Sequence, residues 1–235
     1  MNYLWAAATH TGRIRNNNED AFAPEASGRG PGPVVLMVAD GMGGAVGGEV
    51  ASRLAVETAV GTDGTPADRV VAANRRVVKE AFGDPHLAGM GTTMTLVQLD
   101  PGGHAHFAHV GDSRAYLLSD SQFQMLTVDH TVVAEHVAAG RLSQEDALTH
   151  PQRSMLTRVL GINPELEVDE IDVDLQPGDR ILMCSDGLTN MVPDDRIASI
   201  MGSLTPEEAV WTLIEEANRA GGHDNITVVV VDVVP

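Results

Sequence analysis

The chain has 235 residues, of which 43% are hydrophobic, 20% charged and only 3% aromatic, a globular composition with an aliphatic core and no disordered or collagen-like bias. Its 33 acidic residues against 15 basic ones leave a formal charge of −18, which repels phosphate backbones and anionic membranes and argues against nucleic-acid binding. Lys79 is the only lysine, so no glycine-rich loop carries the lysine of a P-loop nucleotide site, and the single cysteine, Cys184, allows no intrachain disulfide, as in a reducing compartment.

At the N-terminus the short apolar stretch Leu4 to Ala8 has no basic residue before it and does not read as a secretory signal. The longest uninterrupted apolar run, Val34 to Ala39, is too short to cross a bilayer, so a cytoplasmic protein without a membrane segment is expected. That run is the first predicted strand. Gly48 to Val60 and Pro66 to Phe82 read as helices, the second with Val70, Val77, Val78 and Ala81 on one side. Three strands are predicted next, at Thr92 to Leu99, His104 to Val110 and Arg114 to Leu118. Residues 129–163 are polar and partly helical, at Val132 to Ala139 and Ser143 to Leu148, and read as a flap over the surface. Arg180 to Cys184 is again a strand. In Thr205-Pro206-Glu207-Glu208 the N-cap, the proline at the first helical position and the reciprocal Glu208 make a capping box. It opens a helix with Val210, Leu213, Ile214 and Ala217 inside, closed by Gly221-Gly222. The last strand is Ile226 to Val234. Strands apolar at every position are buried on both faces, which calls for a sheet covered by another sheet on one side and helices on the other. With no linker or repeat, residues 1–235 are expected to form a single domain.

Four carboxylates share one setting, each at the end of an apolar run and beside a glycine or a turn residue: Asp40, Asp112, Asp186 and Asp224. Any one of them could simply start a turn. Together, strand ends from one sheet region would gather four charges that repel each other unless hard divalent cations neutralise them. Near the N-terminus, Glu19 and Asp20 follow Arg15. A loop and a surface charge would account for these three alone, but beside metals a planar guanidinium suits a phosphate.

The segments Arg15-x-x-x-Glu19-Asp20, Asp40-Gly41-Met42-Gly43-Gly44, Gly91-Thr92-Thr93, Gly111-Asp112-Ser113-Arg114, Ser185-Asp186-Gly187 and Asp224-Asn225 stand in the order and approximate spacing of the PP2C-type (PPM) metal-dependent protein Ser/Thr phosphatases. The chain resembles that family over essentially its whole length, most of all its minimal bacterial catalytic domains, including His150-Pro151-Gln152-Arg153 in the flap. The resemblance implies an α+β fold, a four-layer α-β-β-α sandwich with the metal centre at one end of the channel between two antiparallel sheets. It implies that Asp40 bridges two Mn²⁺ or Mg²⁺ ions, with the Gly41 carbonyl on the first and Asp186 and Asp224 on the second. Asp112 would join Asp186 on a third ion, Glu19 and Asp20 would orient metal-bound waters, and Arg15 would hold the substrate phosphate. Phosphoserine and phosphothreonine would then be hydrolysed by direct attack of a metal-bridging hydroxide, with Arg15 and the ions absorbing charge on the equatorial oxygens. Phosphorylated proteins, among them a Ser/Thr protein kinase and its targets, are the implied partners, and a monomer is expected.

Met42 departs from members that carry a histidine after Asp-Gly, so another group must protonate the leaving alkoxide. Two rivals stay open: a pseudophosphatase that binds phosphoproteins without turnover, against which the intact Arg15 and carboxylates argue, and a metal-dependent phosphodiesterase, against which the net charge argues. Several features read as structural. His104 and His106 share a strand face that His109 does not, so they make no zinc site. Cys184 reads as a small buried hydrophobe, since Asn190 stands where a C-x5-R phosphatase needs its arginine. Glu165 to Asp179, with seven acids and no base, reads as solvated surface.

Overall fold

The computed structural model describes residues 1–235, with the side chains of 44–46 outside the description. In chain order the elements are β1 (Asn2–His10), β2 (Asp20–Ala23), β3 (Gly28–Gly30), β4 (Val34–Met42), α1 (Gly44–Gly61), α2 (Pro66–Gly83), β5 (Gly91–Thr92), β6 (Met94–Leu99), β7 (His104–Val110), β8 (Arg114–Ser119) and β9 (Gln122–Met125). There follow α3 (Val132–Ala138), α4 (Gln144–Thr149), β10 (Asp169–Asp174), β11 (Arg180–Cys184), α5 (Asp186–Thr189), α6 (Asp194–Met201), α7 (Pro206–Arg219) and β12 (Ile226–Val234).

Two antiparallel sheets result, one in the order β3-β1-β12-β11-β8-β9 and the other in the order β10-β7-β6-β4-β2, with β5 attached to β4. The period of two sorts their side chains into three cores. From β12, Val229, Val231 and Val233 enter the core between the sheets, where Leu36, Val38 and Phe107 meet them. Its alternate residues Ile226, Val228 and Val230 pack outward on Leu213, Ile214 and Ala217 of α7. Met37 and Ala39 of β4 pack outward on Ala51, Ala55 and Val70 of α1 and α2. The layers are therefore helix, sheet, sheet, helix. Val228 to Val231 are fully buried, each contributing about 1.5–3 kcal/mol relative to exposure.

The α7 start follows the expected box, with Thr205 accepting from Glu208 N–H and Pro206 in the first turn. Besides the short elements β2, β3, β9, α5 and α6, which the sequence reading did not include, three features differ from it. β1 was not expected as a strand, yet it pairs with β12 in register from Asn2 opposite Val234 to His10 opposite Ile226. The expected strand Thr92 to Leu99 is interrupted at Thr93, whose N–H keeps the in-register bond to the Asp40 carbonyl at 2.9 Å while the Asp40 N–H donates to the Thr93 hydroxyl instead of the Thr93 carbonyl. The acidic stretch forms the edge strand β10: Asp172 and Asp174 face outward and pair with His106 and His104, whereas Ile171 and Val173 face the core. His109, on the opposite face of β7 from His104 and His106, is fully buried. Among the described residues, no helix is long and apolar enough to cross a membrane.

Candidate metal and phosphate site

The carboxylates gather at one end of the sandwich because each closes or opens an element there. Asp40 lies near the end of β4, Asp112 in the β7–β8 turn, Asp186 at the start of α5 and Asp224 in the turn before β12. All four line one cavity of about 1310 Å³, together with Arg15, Glu19 and Gly41. Asp20 lies behind that wall, opposite Asp40 in the β2–β4 register.

Hydrogen bonds fix this arrangement from below. Asp20 Oδ2 accepts from Ser185 Oγ at 2.8 Å and from Thr227 Oγ1 at 2.6 Å. Thr92 Oγ1 donates to the Asp40 carbonyl at 2.9 Å, and the Asp40 N–H donates to Thr93 Oγ1 at 2.9 Å. Asn190 Nδ2 donates to Asp186 Oδ2 at 2.9 Å. Gly41 has no room for a side chain, since a Cβ there would lie 2.1 Å from the Gly48 carbonyl oxygen and 2.5 Å from that of Glu19.

The electrostatics are those of an anionic cluster short of counter-charge. Burial pushes the Asp20 carboxyl up to about 7, with Asp186 and Asp224 adding to the rise against two hydroxyl hydrogen bonds. Burial and then Asp186 bring Asp112 to about 7 as well, and burial and then Asp224 bring Asp186 to about 6. Asp40 is held well above the usual range by burial and by Asp20, Asp186, Asp112 and Asp224. Arg15 approaches the cluster as a cation, its Nη2 donating to Asp224 Oδ2 at 2.8 Å.

Do these residues suit divalent ions? Asp20 Oδ1 and Asp186 Oδ1 are buried with no hydrogen-bond donor, oxygens that a hard cation or its water shell would satisfy. Among the described residues, no three His, Cys, Asp or Glu side chains already close around one point. An ion here would take much of its shell from water and backbone, the habit of Mg²⁺ held by one or two carboxylates. The donor set is oxygen only, which suits Mg²⁺ or Mn²⁺ and not zinc.

The geometry shows residues to which sequence reasoning assigned no role. Asn225 is buried, donates to the Thr11 and Asn17 carbonyls at 2.9 Å each and accepts from Glu19 N–H at 2.7 Å, so it pins the loop that carries Arg15 and Glu19. His130 accepts from Gly111 N–H at 3.0 Å through Nδ1, and its Nε2–H donates to Asp169 at 3.1 Å. Asp169 in turn accepts from Arg158 at 2.6 Å. The Asp112 turn is thereby tied to residues 129–163, the segment read above as a flap. Asn74 of α2 holds the flap's far end, donating to the Asn163 carbonyl and accepting from Gly161 N–H, both at 2.8 Å. The adjacency of Asn225 to Asp224 was the only signal in the sequence for any of these.

An antiparallel two-sheet sandwich flanked by helices, with an acidic cluster at one end of the channel, defines a class as well as a shape. Residues 10–215 match the family model described as "Protein phosphatase 2C". The serine/threonine phosphatase stp of Listeria innocua is 39% identical over 239 residues, covering 95% of this chain and 93% of that protein. The serine/threonine phosphatase PstP/Ppp of Mycobacterium tuberculosis superposes with a TM-score of 0.91 at 37% identity over all of both chains. A PstP catalytic domain in complex with two manganese ions superposes with a TM-score of 0.88 at 36% identity. The chain belongs to the protein phosphatase 2C family. Within that family it is a protein serine/threonine phosphatase.

Proposed function

We propose that the chain removes phosphate from phosphoserine and phosphothreonine of proteins at the carboxylate cluster, where Asp40, Asp186 and Asp224 would hold two Mn²⁺ or Mg²⁺ ions and Asp112 with Asp186 a third. The observation that carries this reading is the convergence of Asp40, Asp112, Asp186 and Asp224 with Arg15 on one cavity. Bound there, the ions would lower the pKa of a water to give a nucleophile at neutral pH and would neutralise charge on the phosphoryl oxygens.

The chain's own side chains supply position and charge. Asp40, with the Gly41 carbonyl, Asp186 and Asp224, would hold the two central ions. Glu19, at the cavity wall, and Asp20, behind Asp40, accept hydrogen bonds from water and so aim it. Arg15 is 51% exposed and reaches the cavity from its rim. Moving from Asp224 onto the substrate, it would bind two phosphate oxygens and hold phosphorus in line with the attacking water. Among the described residues no histidine lines the cavity, so the proton for the leaving alkoxide does not come from an imidazole there. On this reading the substrates are products of a Ser/Thr protein kinase.

The test is hydrolysis of a phosphothreonine peptide in excess EDTA and again after Mn²⁺ is restored. Activity should vanish and return, and Asp186→Asn or Asp224→Asn should lower the restored rate by orders of magnitude. Undiminished hydrolysis in EDTA would overturn the metal-assisted route. Peptide binding without turnover under both conditions would make the chain a phosphoprotein-binding pseudophosphatase.

A further inference from the structure

We propose that a second hollow beside the cleft seats an apolar stretch of the substrate polypeptide next to the phosphorylated residue, and so makes apolar flanks a specificity element. The proposal rests on the phosphatase reading of the cleft. The hollow has a volume of about 530 Å³ and runs between the β8–β9 side of one sheet and the helices α3 and α4, within the size range of sites that enclose ligands. Asp112, Asp186 and Ser154 line both it and the cleft, so a chain leaving the metal site on this side enters it directly.

Apolar side chains make up one part of its wall, Met125, Val128, Val133, Val137, Ala138 and Leu148, and polar ones the rest. Met125, Val128 and Leu148 are 40%, 61% and 75% exposed. Other exposed apolar side chains, such as Val60, Phe82 and Trp211, line neither hollow. Single exposed hydrophobes are ordinary, whereas a contiguous group beside a reaction site marks a contact surface.

Charge favours the same occupant. Arg114 is spent on Asp129, with Nη2 to Oδ2 at 2.7 Å and Nε to Oδ1 at 2.9 Å, so that wall presents a neutral pair. Glu145 and Arg153 add one charge of each sign, and the remaining carboxylates on the hollow, Asp112 and Asp186, would be neutralised by the ions of the adjoining site. A highly charged peptide would find no net complement there, while Leu or Val side chains would bury area and displace water from aliphatic walls. The occupant we commit to is the substrate's own extended segment, because only that is delivered by continuity with the cleft.

The experiment compares two phosphothreonine peptides of equal charge, one with Leu and Val on both sides of the phosphorylated residue and one with Ser and Gln there. Para-nitrophenyl phosphate is the third substrate, Mn²⁺ is present throughout, and the enzymes are the parent, Val128→Asp and Leu148→Asp. Both substitutions fall on exposed positions, and circular dichroism checks the fold. The parent should favour the apolar peptide at least tenfold in kcat/KM, mainly through KM. Each variant should lose at least tenfold on that peptide relative to the polar one. Equal use of the two peptides by the parent, or equal loss on both in the variants, would overturn the groove while para-nitrophenyl phosphate turnover leaves the cleft standing. A dimer of the parent that the variants dissociate would also overturn it, by giving the hollow to a second copy. A parent that turned over none of the three substrates would remove the phosphatase reading, and this proposal with it.

Discussion

Asp20 shows how the cluster is charged and held at once: its Oδ2 is clamped by two hydroxyls while Oδ1 is left without a donor. Arg15 supplies a guanidinium to the same cluster, but through Asp224, so the expected separation between a phosphate-holding arginine and metal-holding carboxylates is not complete at rest. Arg15→Ala should lower kcat/KM for a phosphopeptide about 30- to 150-fold, the equivalent of about 2–3 kcal/mol for a hydrogen bond to a charged group. Because Asp224 is freed, metal affinity in a calorimetric titration should hold or rise. A fall in affinity would mean that Arg15 orders the metal ligands instead. His109 tests a different residue property. Burial, aided by His130, lowers its pKa from 6.5 to about 4, while Nε2–H donates to the Val128 carbonyl at 3.1 Å. The neutral form is the one the fold holds, so this contribution is full above about pH 6.5 and is lost as pH falls from there toward 4. In urea titrations, His109→Gln should therefore lose about 2 kcal/mol less than the parent between pH 7 and pH 5. Parallel pH profiles for the two proteins would contradict it.

At the scale of elements, the cluster is assembled by turns that have little else in common. Gly111 takes φ +115° where a Cβ would lie 2.5 Å from the Thr93 side chain, so the β7–β8 turn can bring Asp112 in only with glycine there. The N-terminal loop has no strand to hold it between β1 and β2, and Asn225 does that work with three hydrogen bonds. Asn225→Ala leaves two carbonyls and one N–H without their partner, which should cost about 2–4 kcal/mol of stability. It should also lower kcat/KM on phosphopeptides by at least tenfold as Arg15 and Glu19 lose their placement. Unchanged kinetics with reduced stability would make Asn225 a structural residue only.

For the whole molecule, the main electrostatic burden is the cluster of raised carboxylates inside a chain of formal charge −18. Ions that bind only the folded state stabilise it by mass action, about 2.7 kcal/mol per site at a hundred times Kd. For a chain of this size that corresponds to a rise in Tm of about 5–10 °C on adding Mn²⁺ to the chelated protein. Asp186→Asn should abolish most of the rise. A thermal scan in which Mn²⁺ moved neither protein would place the metal site elsewhere or nowhere.

How much of this was legible before folding depended on how local the information was. The buried strands β4, β11 and β12 could be read because nearly every position is apolar, and a run covered on both faces needs no partner to identify it. The α7 start was legible because its cap, proline and reciprocal glutamate lie within four residues. The carboxylates were legible as a repeated setting, Asp at the end of an apolar run, in an order that resembles one family. Other features belong to the tertiary structure alone. β1 becomes a strand through its pairing with β12, more than two hundred residues away, which no local pattern encodes. β10 is acidic on its outer face and became legible as a strand only once β7 offered it an edge and His104 and His106 as partners. Asn225, Asn74 and His130 look in sequence like ordinary turn or helix residues, because what distinguishes them is which distant backbone groups they satisfy. The sequence by itself marked Arg15 and the carboxylates as candidates for one site, since the chemistry lies in their types and order. Only the tertiary structure decided how they are held and what lies beside them, because hydrogen-bond satisfaction and the shape of a groove depend on contacts between parts of the chain far apart in sequence.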